Sequence, residues 1–284
     1  MKFGTNAVIK PNKYYPLAWV HESMIRRNIL VNKTIRYTLT TLMGLGFTAI
    51  TPAQASDLEI SGDMGIASQY VWRGVTQTTG KTAVQGDLGV SISGLSASAW
   101  FSNAYQSPAP QFNNRDVVEF DWTLDYSNSV ADSGIDYSVG AIGYTYLYDS
   151  ASNFPEIYAG LSYGPISLTA YYNIKNSFNK AYLKGDTWVD IGLSTSVQGF
   201  DISGTVSYAK WKKDSVNRPT VSQFKNGFNL LTVGVSKDID IAGVTMTPSF
   251  TATLPFIGKD AAGNRSIYGV AVKSEFVAGL NFAY

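Results

Sequence analysis

The sequence contains no cysteine and one histidine, His21. The first absence removes disulfide scaffolds, thiolate zinc sites and cysteine nucleophiles. Charge is also scarce: Asp, Glu, Lys and Arg make up 15% of the 284 residues, against 45% hydrophobic and 13% aromatic residues. Mean hydropathy is nevertheless only −0.03. That is too low for a bundle of transmembrane helices, each of which needs about 20 mainly apolar residues. The apolar residues are therefore either gathered in one long core or alternated with small polar ones. Eighteen tyrosines and 26 glycines favour alternation, because aromatics suit strands while glycine marks turns and close backbone packing.

Residues 1–55 read differently from the rest. From Met24, four basic residues (Arg26, Arg27, Lys33, Arg36) precede an uncharged stretch from Tyr37 to Ile50, and Ala53-Gln54-Ala55 follows. A basic start, a short apolar middle and small residues at the cut are the grammar of a secretory signal peptide, which predicts initiation at Met24 and cleavage after Ala55. Residues 56–284 then form the mature domain. The leader holds seven of the 22 basic residues and one of the 21 acidic ones, which leaves 15 against 20 and a mature charge of about −5. An acidic chain is a poor partner for nucleic acid. His21 leaves with the leader, so Ser-His and Cys-His catalysis and imidazole metal sites are excluded. The expectation is a non-enzyme with no cofactor and no metal.

After Ala55 the hydrophobic period is two. Val118, Phe120, Trp122, Leu124 and Tyr126 alternate with Glu119, Asp121, Thr123, Asp125 and Ser127. Twelve such segments fall near 58–74, 82–92, 95–103, 117–127, 135–148, 155–163, 166–174, 187–197, 200–211, 227–236, 243–254 and 267–284. Tight joins, such as Ser93-Gly94, Gly164-Pro165 and Gln198-Gly199, mostly alternate with connections of 12 to 15 residues. An even strand number, alternating short and long connections and both termini at the short-turn end predict an all-β fold, a transmembrane antiparallel up-and-down β-barrel of about 12 strands. Closure is required because hydrocarbon offers no hydrogen bond to an unpaired strand edge. Aromatics near strand ends on the expected outward face fit two interfacial girdles: Tyr70, Trp72, Phe101, Phe120, Tyr172 and Tyr208 toward the loops, Tyr126, Tyr163, Phe200, Phe282 and Tyr284 toward the turns.

The last residues, Ala278-Gly279-Leu280-Asn281-Phe282-Ala283-Tyr284, resemble the C-terminal signal read by the barrel-assembly machinery, with Gly279, Phe282 and Tyr284 at the matching positions. Ala278 departs from the polar residue usual there. Ala67-Ser68-Gln69-Tyr70-Val71-Trp72-Arg73-Gly74-Val75-Thr76-Gln77, followed by Lys81-Thr82-Ala83-Val84-Gln85-Gly86-Asp87, resembles the opening signature of the TorF family of porin-like proteins. The likeness continues more loosely through Val118-Glu119-Phe120-Asp121 and covers most of 58–284. It implies an outer-membrane barrel of a Gram-negative bacterium that passes small solutes.

By parity the residues expected to line a pore are Glu59, Asp63, Gln69, Arg73, Gln85, Asp87, Glu119, Asp121, Asp125, Asp136, Glu156, Asp190 and Asp201. All of the charged ones are acidic except Arg73. Most lysines and the other arginines fall in or beside the long connections, among them Lys81, Arg115, Lys175, Lys180, Lys184, Lys212, Lys213, Arg218, Lys225 and Lys259. An acidic lumen beneath a basic rim favours cations or neutral polar solutes and offers the rim to lipopolysaccharide phosphates. Twelve strands about 4.8 Å apart and tilted about 40° close to a diameter of roughly 24 Å. Inward Trp100, Tyr146, Tyr158, Tyr171 or Trp188 would narrow the space inside. The expected function is a narrow channel for passive diffusion of small hydrophilic solutes; the alternatives are a non-conducting structural or adhesive barrel and a carboxylate-based hydrolase.

Overall fold

A computed structural model describes residues 58–105, 116–214, 216, 224–259 and 263–283. The leader with His21 and the cleavage site after Ala55, and residues Arg115, Arg218 and Tyr284, lie outside the described residues.

Twelve strands follow one another: β1 (Glu59–Ala67), β2 (Ala83–Ile92), β3 (Leu95–Tyr105), β4 (Asp116–Val130), β5 (Ile135–Leu147), β6 (Phe154–Tyr163), β7 (Ile166–Asn173), β8 (Thr187–Val197), β9 (Phe200–Lys210), β10 (Gly227–Ser236), β11 (Val244–Pro255) and β12 (Glu275–Ala283). Each pairs antiparallel with the next. β12 returns to β1, with Met64 opposite Phe282 and Ala67 opposite Gly279. The ring is closed, so no strand edge of the wall is left unpaired. The turns at one end are tight: Ser93-Gly94 and Gln198-Gly199 carry positive φ at both positions, the two-residue geometry that matches the twist of paired strands. All long connections leave from the other end. Among the described residues no helix is long and apolar enough to cross a membrane.

The two faces of the wall are inverted relative to a water-soluble protein. On β4 the outward Trp122 and Leu124 are each 56% exposed, whereas the inward Glu119 and Asp121 are 1% and 0% exposed. Ile60, Met64, Ile66, Leu161, Leu193 and Phe276 extend the exposed apolar surface around the ring. Such a surface is stable against hydrocarbon and costly against water, which sets a lipid-facing barrel as the fold class.

Two of the expected segments end differently. The first strand stops at Ala67, not Gly74; Val71–Trp72 and Val75–Thr76 pair with each other in a hairpin closed by Arg73-Gly74. The last strand begins at Glu275, not 267; Arg265–Ile267 and Val270–Val272 form a second hairpin closed by Tyr268-Gly269. In both, the two turn residues have positive φ: 46° and 82°, then 53° and 75°. Such a turn keeps a period of two on either side, so the alternation persists while the chain reverses. Tyr70 and Trp72 are consequently not part of an outward girdle; they are 1% and 5% exposed, inside the ring.

Candidate functional site

The two hairpins fold into the long-loop end of the barrel and meet there. Trp72 stacks on Tyr268 at 5.0 Å with an interplanar angle of 21°, and Trp211 meets Tyr268 edge-on at 4.5 Å. Wall residues Tyr144, Phe154 and Trp188 complete the cluster with Tyr182 of a long loop; Phe154 stacks on Tyr182 at 3.8 Å. Together these groups form a plug. It is tied to the adjacent wall through Gln69, whose Nε2 donates to Glu275 Oε2 at 2.8 Å and to the Phe276 carbonyl at 3.2 Å. Within the plug, the Tyr70 amide donates to Thr78 Oγ1 at 2.9 Å and the Gln77 amide to the Tyr70 carbonyl at 2.7 Å.

Arg73 ties the plug to the far wall. Its Nη1 and Nη2 donate to the two carboxylate oxygens of Glu156 on β6, each at 2.8 Å, and Nη1 donates to the Tyr268 hydroxyl at 2.6 Å. The guanidinium lies 4.6 Å from the Trp72 ring, 4.9 Å from Tyr171 and 5.2 Å from Trp188. Tyr144 donates its hydroxyl to Glu156 Oε2 at 3.0 Å. Burial acts to lower the Arg73 pKa, but the charge of Glu156 and the polar phenols outweigh it and raise it well above its usual value. Burial pushes the Tyr268 phenol up and the Arg73 charge only partly opposes it, so this hydroxyl stays neutral. A bidentate pair enclosed by rings holds its geometry, because each nitrogen and oxygen used has lost its water.

The sequence-derived lining residues fall into three groups. Gln85, Asp87, Glu119, Asp121, Asp125 and Glu156 are buried on the inner face of the wall. Asp63, Asp136, Asp190 and Asp201 are half-buried, while Glu59 is exposed at the short-turn end. Gln69 and Arg73 belong to the plug and not to the wall. The acids are not scattered bare charges. Tyr146 donates to Glu119 at 2.9 Å and Tyr158 to Asp125 at 2.6 Å; Ser129 donates to Asp136 at 2.6 Å, Ser127 to Asp125, and Ser196 to Asp201. Asp190 Oδ1 accepts from Trp188 Nε1 at 2.8 Å and from Ser207 at 2.6 Å. Among the described residues no cluster of three or more His, Cys, Asp or Glu could hold a metal. Tyr268 and Glu275 were not foreseen as partners. For Tyr268 the signal is the likeness of Tyr268-Gly269 to Arg73-Gly74, two turn dipeptides each followed by valine; Glu275 carries none.

Against the plug lies a cavity of about 110 Å³, lined by Arg73, Trp72, Tyr171 and Trp188 and by the polar wall residues Gln85, Asp190, Thr205, Ser207, Thr232, Ser249, Thr251 and Thr253.

Fold and site together define a closed, lipid-facing β-barrel with an occluded polar interior. The chain belongs to the family described as "Bacterial protein of unknown function (Gcw_chp)", which matches residues 51–271. No curated protein matches the sequence. Solved structures similar to it include outer membrane phospholipase A from Escherichia coli, at 12% identity and a TM-score of 0.41, covering 78% of this chain and 89% of that one. LpxR from Salmonella typhimurium is similar at 9% identity and a TM-score of 0.40, covering 79% and 99%. The outer membrane channel DcaP of Acinetobacter baumannii is similar at 8% identity and a TM-score of 0.34, covering 80% and 96%. One expectation is corrected here: a phospholipase stands among the barrels similar to this chain, so the reading of the protein as a non-enzyme is withdrawn.

Proposed function

We propose that the protein is a gated outer-membrane channel for small hydrophilic solutes, as the TorF resemblance implies, with an acidic lumen that favours cations or neutral polar solutes. The observation that carries this reading is the identity of the obstruction. Two loop hairpins, held by Arg73 on Glu156 and Gln69 on Glu275, close the barrel, whereas the wall beside the cavity presents Ser, Thr, Gln and Asp interspersed with Leu230 and Val277. A loop plug can leave without breaking a strand-to-strand hydrogen bond of the wall. The lysines of the long loops would lie outside the cell, where lipopolysaccharide phosphates are their natural partners, and Gly279 and Phe282 would serve the barrel-assembly machinery.

Planar-bilayer recording of refolded protein tests this. Wild-type protein should give rare, small conductance steps, and Arg73→Ala and Glu156→Gln should give larger and more frequent ones. A salt gradient should produce a cation-selective reversal potential. Silence from wild type and both variants, with heat-dependent gel shifts proving folded barrels, would refute the channel; anion selectivity would refute the acidic-lumen component.

A further inference from the structure

Asp190 sits half-buried on the inner face of β8. Both of its hydrogen bonds, from Trp188 Nε1 and Ser207, fall on Oδ1. Its Oδ2 has no partner among the described residues, and Asp190 lines the cavity against the plug. The charge in that cavity is unbalanced. Arg73 is the cation present, and its two terminal nitrogens are engaged with Glu156 and Tyr268. The single charge of Arg73 acts on both Glu156 and Asp190, so two carboxylates share one cation and the site is left one positive charge short, which favours a cation from solution. Trp188 and Tyr171 line the same space and give a carbon chain an apolar wall to lie along. A neutral polyol could use the hydroxyls of Thr205, Thr232 and Thr251, but it would leave the charge of Asp190 unmatched. An anion would meet it head-on.

Size narrows the class further. A single water needs roughly 10–15 Å³ of such volume, so a cavity of about 110 Å³ takes a molecule of several heavy atoms and is too large for a bare ion. We infer that this cavity is a binding site for a small organic cation, with its ammonium group on Asp190 Oδ2, its carbon chain along Trp188 and Tyr171, and a distal polar group among the threonine hydroxyls. The inference rests on the channel reading for the solute's route, but binding itself needs no conduction.

Calorimetry on refolded protein in micelles at neutral pH tests it with 4-amino-1-butanol, which is protonated there, against the neutral isostere 1,4-butanediol. The amine should bind about tenfold or more tightly than the diol, the scale of one charge-assisted hydrogen bond. Asp190→Asn, which keeps an acceptor at Oδ1, should bring the two within about twofold. Thr251→Leu keeps Asp190 and fills the cavity, and should weaken the amine as well; gel shifts check that both variants fold. Equal binding of amine and diol, unchanged amine affinity in Asp190→Asn, or no binding by folded wild type would each overturn the site. Conductance of Arg73→Ala reads the channel separately, so failure of one reading is distinguishable from failure of the other.

Discussion

Arg73 and Glu156, 83 residues apart in the chain, form a bidentate ion pair at 2.8 Å that spans the barrel from the hairpin after β1 to the wall at β6. Four strands lie between β1 and β6 in a ring of twelve, so the pair bridges nearly opposite sides. An adjacent-strand pair would only reinforce the wall; this one fixes the plug.

The pair's energetics follow from its burial, with the two side chains 8% and 4% exposed. Removing one partner leaves an uncompensated charge and costs about 3–5 kcal/mol, whereas replacing both by apolar groups is often close to neutral. Glu156→Ala should therefore lower stability in urea far more than the double variant Arg73→Met/Glu156→Met. Equal losses in the single and double variants would show that the pair is solvated and does not clamp the plug.

The hairpin tips make a second test. A Cβ on Gly269 would lie 2.9 Å from Phe224 Cζ, and one on Gly74 would lie 2.9 Å from a Leu230 methyl, both at positive φ. The left-handed conformation alone costs a side chain about 1–2 kcal/mol. Gly269→Val should loosen the hairpin without opening the ring. Hydrogen exchange is expected to accelerate at residues 265–272 and 71–76 while the amides of β4 and β5 keep their protection; uniform acceleration would place the strain in the wall instead.

The twelve-strand ring was legible because each strand alternates on its own: Val118 to Ser127 needs no distant partner to reveal its two faces. The inward acids were legible by the same parity. The plug was not. Arg73-Gly74 reverses the chain without interrupting a period of two, so Tyr70 and Trp72 continued the outward series of β1 on paper while turning inward in space. Nothing local to Arg73 points to Glu156, and only the matching turn dipeptide hints at Tyr268, since both contacts are set by ring closure and loop length.

The inverted surface predicts an asymmetry between neighbouring residues. Leu124 is 56% exposed near the middle of β4, while Thr123 beside it faces inward and is half-buried. Arginine on the lipid face at mid-membrane costs about 2–4 kcal/mol. Leu124→Arg should fall by that amount in folding into lipid vesicles, and Thr123→Arg, whose guanidinium can reach lumen water, should fall by less. The reverse order would mean that the faces are assigned the wrong way round.

Gly140 shows how the inner wall accommodates its aromatics. It sits opposite Tyr158 in the β5–β6 register, and a Cβ there would lie 2.4 Å from the phenol's terminal carbon and hydroxyl. With no side chain at 140, the Tyr158 ring lies across the strand and its hydroxyl donates to Asp125 Oδ2 at 2.6 Å. Gly140→Val must push the ring away, combining overpacking of about 1–3 kcal/mol with the loss of a bond to a buried carboxylate. Tyr158→Phe removes the bond alone and leaves the ring in place. Gly140→Val should therefore be more destabilising than Tyr158→Phe in urea. Placing Gly140→Val on a Tyr158→Ala background should abolish most of its cost, because the clash then has no partner. A full cost on that background would show that residue 140 meets the β4 backbone, where the Leu124 carbonyl lies 2.7 Å from the same Cβ position, and not the tyrosine.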